Sequence, residues 1–380
     1  MTTILQRLLL VLLFSANAAL AGEPVTTELI RQRGLVGLGD QDRLKAVLGK
    51  AQRGEPITVA AIGGSITAGG LATKDPENRY INRIAAWFIK TFPKSKVSFT
   101  NAGIGGTNSY YGALRLREDV LTQHPDLVVV EYAVNNMADR SFAESYEGLL
   151  RQLLLAGENI AVIELFFMHK DGENAQTWQE MLGRHYQLPM VSFRDAWWPE
   201  LSSGRTAWTD LYADEVHPKD AGHIRASELL IDLLEKVNAS PAKEQPRAEL
   251  PPPLISDGYA HASLARYQNL APAANKGWGR SADGKSWEGT TAGASIEFEF
   301  TGQMLFVAFD FDKMPTASFA IDGGTPQPLN ADAHRRPLAT GLAAGSHRVR
   351  IELSEAQAVK EPATVRVWAV GSAGSASPKP

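Results

Sequence analysis

The 380-residue sequence contains no cysteine. Disulfides, thiol nucleophiles and thiolate metal sites are thereby excluded, and the fold must stand on burial, for which the chain is long enough. A large excess of either charge is lacking as well: 38 basic and 42 acidic residues give a formal net charge of −4 and no long block of like charge occurs, so nothing calls for nucleic acid as a partner. Membrane-length apolar runs are also missing. The run Leu8 to Phe14 has about seven residues, against the ~20 that cross a bilayer. Preceded by Arg7 and followed by Ala19-Leu20-Ala21, it reads as a signal peptide over residues 1–21, which predicts a periplasmic or secreted protein with no membrane span after its removal. No His-Glu-x-x-His occurs, and Gly103-Ile104-Gly105 lacks the third glycine of a dinucleotide loop; no metal or cofactor is expected.

What is present is organised around Val59-Ala60-Ala61-Ile62-Gly63-Gly64-Ser65-Ile66-Thr67. An apolar run from Ile57 stops at two glycines and a serine, the pattern of a buried strand that delivers a hydroxyl to its carboxyl end. Ligands of open α/β sheets bind at such ends, and glycine there admits close approach to the backbone. Ser65 is therefore a candidate nucleophile. It sits in no Gly-x-Ser-x-Gly, which excludes the nucleophile elbow of the α/β-hydrolases.

Residues 27–53 read as an amphipathic helix leading into this strand. Asp75-Pro76-Glu77 is a helix start, and Ile81, Ile84, Ala85 and Phe88 line one face of the helix that follows. Further strands are expected at 96–100, 127–134, 160–166 and 190–193, with helices at 110–124, 142–156, 173–186 and 220–237. Strands apolar on both faces and alternating with helices predict a parallel sheet covered on each side. Glu131 and Glu164 interrupt two strands and are expected to be carboxylates satisfied by a neighbouring donor. A polar, proline-rich connector over 240–254 ends this domain, which spans 22–239. Short alternating runs over 255–373 then predict an antiparallel β-sandwich, with a tail at 374–380.

A serine hydroxyl is a weak nucleophile until a base takes its proton, and the base needs an acid to fix its tautomer. Among eight histidines, His217 in Asp214-Glu215-Val216-His217-Pro218 has an acid three residues away, close enough in a turn to hold one ring nitrogen while the other faces Ser65. His223, in the following helix, reads as structural; His124, His169 and His185 read as surface residues. Acyl transfer also needs donors for a developing oxyanion. Three candidates end three different strands: the N–H of Ser65, an N–H in the Gly105-Gly106 turn, and the amide of Asn135.

Serine, glycine, asparagine and Asp-x-x-His in this order resemble the SGNH (GDSL-like) hydrolases over residues 50–235. The resemblance implies a flavodoxin-like three-layer α/β/α sheet. It places the nucleophile on Ser65, the oxyanion hole on Ser65, Gly106 and Asn135, and the acid and base on Asp214 and His217. The chain departs from the commoner pattern in having Gly64 where aspartate precedes the serine, Ala133 where glycine is usual, and Asn136 where aspartate follows the asparagine.

The sandwich pattern, from Ile296-Glu297-Phe298-Glu299-Phe300 through Gly345-Ser346-His347-Arg348-Val349, resembles the jelly-roll domain of some bacterial carbohydrate esterases. Together with the export signal it implies a serine esterase removing O-acetyl groups from a polysaccharide or oligosaccharide. A lipase, lysophospholipase, thioesterase or glycan O-acetyltransferase of the same family, or a non-catalytic glycan-binding protein, remain the alternatives. Tyr259, Tyr267, Trp278, Trp287 and Trp368 read as core residues rather than sugar platforms. The stretch Gly279 to Ser286 matches the phosphate-loop letters, but it lies between two tryptophans in the β-rich region and is read as a polar turn.

Overall fold

A computed structural model describes residues 24–70, 75–156, 159–240, 249–312, 317–330, 336–354 and 364–374. The expected signal peptide, residues 241–248 of the connector and the tail beyond Gly374 lie outside them. Helix α1 (Glu28–Gly34), capped by the Thr27 hydroxyl, leads into a short strand β1 (Leu35–Gly37) and then α2 (Asp42–Gln52). The helix expected over 27–53 is therefore broken in its middle. Leu35 pairs antiparallel with Val191 and Gly37 with Met190, partners too remote in sequence for a local apolar pattern to announce, so tertiary pairing overrides propensity.

Strand and helix then alternate. The order is β2 (Ile57–Gly63), a single turn α3 (Ser65–Ala68), α4 (Tyr80–Thr91), β3 (Val97–Gly103), α5 (Ser109–Asp119), β4 (Leu127–Glu131), α6 (Arg140–Leu155), β5 (Ala161–Phe166), α7 (Gln176–His185) and β6 (Met190–Ser192). Two helices that the apolar pattern did not suggest follow, α8 (Phe193–Ser202) and α9 (Trp208–Leu211), before α10 (Asp220–Ala239) closes the unit. The sheet runs β1-β6-β5-β4-β2-β3, parallel throughout except at β1. Because β3 lies on one side of β2 and β4 on the other, the winding reverses at β2, and that reversal opens a crevice at the carboxyl ends of β2 and β4. Alternate residues of each strand enter different layers: Val59, Ala61, Val129 and Ile163 pack with α4 and α10, while Ala60, Ile62, Val128 and Val162 pack with α5 and α6.

The C-terminal domain contains β7 (Ser263–Arg266), β8 (Ala274–Lys276), β9 (Trp278–Arg280), β10 (Trp287–Gly289), β11 (Ser295–Thr301), β12 (Met304–Phe311), β13 (Ala317–Ile321), β14 (Gln327–Pro328), β15 (Ser346–Leu353) and β16 (Val365–Ala373). They form two antiparallel sheets, β12-β16-β10-β9 with β7 added to β16, and β14-β13-β15-β11-β8. Ile296, Phe298, Phe309, Val349, Ile351 and Val367 fill the space between them. The phosphate-loop look-alike is the hairpin between β9 and β10, closed by Ser281 and Ser286 and followed by a strand rather than a helix. Tyr259 and Trp278 are buried; Tyr267, Trp287 and Trp368 are half-buried, with Arg280 lying 4.3 Å over the Trp287 ring.

The two parts share an apolar seam. Tyr110 and Leu114 of α5 and Leu149 and Leu153 of α6 belong to one cluster with Tyr259, Leu264, Phe306 and Ala369. The described end of the connector is docked rather than free. The buried Glu147 carboxylate accepts the N–H groups of Leu254, Ile255 and Ser256, and Arg151 donates to the Pro251 carbonyl at 2.9 Å.

Candidate active site

Ser65 opens α3 directly after β2, so its N–H has no acceptor within the turn. The turn is seated by its surroundings. Asn101 at the end of β3 donates through Nδ2 to the Thr67 carbonyl at 2.7 Å, and the buried Thr67 hydroxyl lies 2.8 Å from Tyr80 Oη and 3.2 Å from Glu131 Oε2. Gly103, the last residue of β3, is glycine because the Thr67–Ala68 backbone crosses where a β-carbon would stand.

His217 Nε2 lies 2.8 Å from Ser65 Oγ, and His217 Nδ1 lies 2.7 Å from Asp214 Oδ2. The other Asp214 oxygen accepts the N–H groups of Val216 at 2.8 Å and His217 at 2.7 Å, folding Asp-x-x-His into a tight loop. Burial alone would raise the Asp214 carboxyl, but these hydrogen bonds from His217 and Val216 hold it below its ordinary value. With Nδ1–H donated to a carboxylate, Nε2 is the acceptor facing the serine hydroxyl, the arrangement in which an imidazole takes the proton of an attacking serine.

Gly106, with φ +72°, lies in the turn after β3; its neighbour Gly105 stands beside Ser65, a β-carbon there falling 3.8 Å from that of the serine. The Asn135 amide packs against Gly64 with Oδ1 nearest, and that oxygen is buried without a hydrogen-bond partner. Asn136 is buried and faces away, its amide bonded to the N–H and hydroxyl of Ser109 at the start of α5. Thus the ends of β2, β3 and β4 and the loop before α10 bring Ser65, Gly106, Asn135, Asp214 and His217 to one end of the sheet.

Other residues that hold this site carried no signal in the sequence. Trp208 stacks on Tyr212 with ring centroids 3.8 Å apart and donates Nε1–H to the Asp214 carbonyl at 2.6 Å. His169, expected at the surface, is half-buried with Nε2 3.0 Å from the carbonyl of Val134, next to Asn135. Lys170 pairs with Glu215 at 2.9 Å and so joins that loop to the Asp-x-x-His loop. His124 is exposed, whereas His185, also expected at the surface, is half-buried with Nε2 2.8 Å from the Pro252 carbonyl. His223 is buried against Tyr80, ring centroids 6.0 Å apart, and burial, helped by the positive charge of Arg79, lowers it to about 3, so it is neutral.

The two strand glutamates differ from expectation. Glu131 and Glu164 are fully buried; Glu131 Oε1 and both oxygens of Glu164 have no hydrogen-bond partner, and burial pushes each carboxyl up to about 8. Burial favours the protonated acid in both, and only Glu131 meets the expected donor, the Thr67 hydroxyl at Oε2. Among the described residues no group of three His, Asp or Glu side chains is gathered as a metal site.

Residues 61–225 match the family model described as GDSL-like Lipase/Acylhydrolase. Among solved structures, two of a two-domain esterase (CEX) active on acetylated mannans superpose with a TM-score of 0.82, over 92% of this chain and 99% of theirs. They are 27% and 28% identical to it, the first co-crystallized with mannopentaose. No curated protein matches the chain.

Proposed function

Starting from a chain that carries a GDSL-like lipase/acylhydrolase domain and is a carboxylic ester hydrolase, we propose that it is an exported serine esterase that removes O-acetyl groups from a polysaccharide. Ser65 attacks the ester carbonyl while His217 takes its proton and Asp214 holds the imidazole tautomer. The N–H groups of Ser65 and Gly106 and the Asn135 amide receive the oxyanion. His217 then gives this proton to the leaving sugar oxygen as its bond to the acyl carbon breaks, and water, activated by the same imidazole, releases acetate from the acyl-enzyme.

The observation that carries this reading is the unbroken path from Asp214 through His217 to Ser65, with contacts of 2.7 and 2.8 Å. The substrate class is supported by the likeness, over nearly the whole chain, to the two-domain esterase active on acetylated mannans. Export rests on the pattern at residues 1–21.

Wild type and Ser65→Ala compared on 4-nitrophenyl esters of increasing acyl length, and on acetylated mannan with acetate release as the readout, test the proposal. Fast acetyl cleavage, loss of turnover in Ser65→Ala and fluorophosphonate labelling of wild type alone are expected. Equal activity in the two proteins would remove the mechanism. Rates climbing beyond acetyl point instead to a lipase or thioesterase, and transfer to an added sugar points to an acetyltransferase.

A further inference from the structure

The Gly63 carbonyl, two residues before Ser65, accepts two hydrogen bonds, from the N–H of Ile104 at 3.1 Å and from Arg115 Nη2 at 3.1 Å. Arg115 projects from α5 into the protein and is completely buried. The same nitrogen reaches Tyr132 Oη at 3.1 Å. Tyr132 in turn fixes the next corner of the site, because its carbonyl accepts the N–H groups of Asn135 at 3.1 Å and Asn136 at 3.0 Å. One guanidinium therefore touches the end of the strand that delivers Ser65 and the phenol of Tyr132, the residue that follows the strand leading to Asn135. It also shares an acceptor with the loop that continues into Gly105 and Gly106.

A cation buried this deeply needs a counter-charge at bonding distance. Arg115 Nη1 donates to Asp119 Oδ2 at 2.9 Å, one helical turn on. That carboxylate is also gripped from the other domain: Arg266 at the end of β7 donates Nη1 to Oδ1 at 2.6 Å and Nη2 to Oδ2 at 2.8 Å, a two-pronged pair that fixes orientation as well as charge. Burial alone would raise the Asp119 carboxyl, but the hydrogen bonds from Arg266 and Arg115 hold it below its ordinary value.

We propose that Arg115 is a positioning residue for the esterase site and that the C-terminal domain sets it through Arg266 and Asp119, so that docking of this domain is required for full turnover of esters too small to reach it. The proposal rests on the reading of Ser65 as the nucleophile. It gives the sandwich a role in the chemical step that is separate from any hold on polysaccharide. A shift of the Gly63 and Tyr132 backbones moves the nucleophile against the oxyanion donors, and that geometry is felt in the transition state rather than in binding.

The test uses full-length wild type, Ser65→Ala, Arg266→Ala and Arg266→Lys on 4-nitrophenyl acetate, with thermal unfolding and the rate of fluorophosphonate labelling measured alongside. Arg266→Ala is expected to lower kcat by about 10–100-fold with KM unchanged, and to slow labelling in parallel, at temperatures where it is folded. Arg266→Lys, which keeps the charge and loses the second prong, is expected to recover part of kcat. It carries the test by itself, against wild type, should Arg266→Ala not fold. Wild-type kcat in the folded Arg266 variants, or a loss confined to KM or to polysaccharide substrates, overturns the coupling. If wild type shows no turnover or labelling that depends on Ser65, the functional reading fails first and the coupling falls with it.

Discussion

The amide of Asn135 occupies the space that a β-carbon on residue 64 would need, so Gly64 and Asn135 are fitted to one another. The commoner pattern of the SGNH-like sequences that the chain resembles places aspartate at that position; here the volume belongs to the side chain of Asn135. Gly64→Asp is therefore expected to displace the amide. Its kcat on 4-nitrophenyl acetate should fall by about 10²–10³, the usual worth of one oxyanion donor. Wild-type kcat in this variant would show that the amide has room to move without loss.

Asn135→Ala should cost the same ~10²–10³ in kcat, because it removes the donor outright. Since both changes act on one group, the Gly64→Asp, Asn135→Ala double variant is expected to be no slower than the slower single one. Losses that multiply would assign the two residues independent roles.

Trp208→Phe keeps a ring on Tyr212 and removes the hydrogen bond to the Asp214 carbonyl. A neutral hydrogen bond is worth about 1 kcal/mol, so kcat should drop by roughly fivefold with KM unchanged. A change in KM alone would instead place this indole in substrate contact.

Glu131 offers a test in pH. Burial raises its carboxyl to about 8 in the folded chain, from an ordinary value of 4.5. The native state thus holds the proton more tightly than the unfolded state between these values, and its contribution to stability declines as pH rises through that window. Glu131→Gln resembles the protonated acid and has nothing to lose. The unfolding midpoint of the variant should gain on wild type between about pH 5 and pH 8.5. A difference that does not vary with pH would mean that the carboxyl titrates normally.

Much of this arrangement was legible in the sequence because each strand end joins an apolar run to a polar residue within a few positions. Ile57 to Ser65 and Leu127 to Asn135 show that transition, and Asp214 and His217 are close enough in sequence for a turn to join them. β1 was not legible: Leu35-Val36-Gly37 is short, and its partner strand begins at Met190. The same limit hid Arg115 and His169, whose roles come from backbone carbonyls contributed by distant segments, while Trp208 acts on a carbonyl only six residues on, with no sequence pattern to mark it. Glu131 and Glu164 were visible as anomalies, but a sequence does not say whether a buried acid meets a donor or keeps its proton.

The seam along α5 and α6 also bears on how the chain can be divided. Cutting at the connector would bare Tyr110, Leu114, Leu264 and Phe306 to water on facing fragments, so severed halves are expected to precipitate or refold poorly. Calorimetry of the intact chain should then register one melting event, and grafting either portion onto a foreign neighbour would mean rebuilding the greasy contact first.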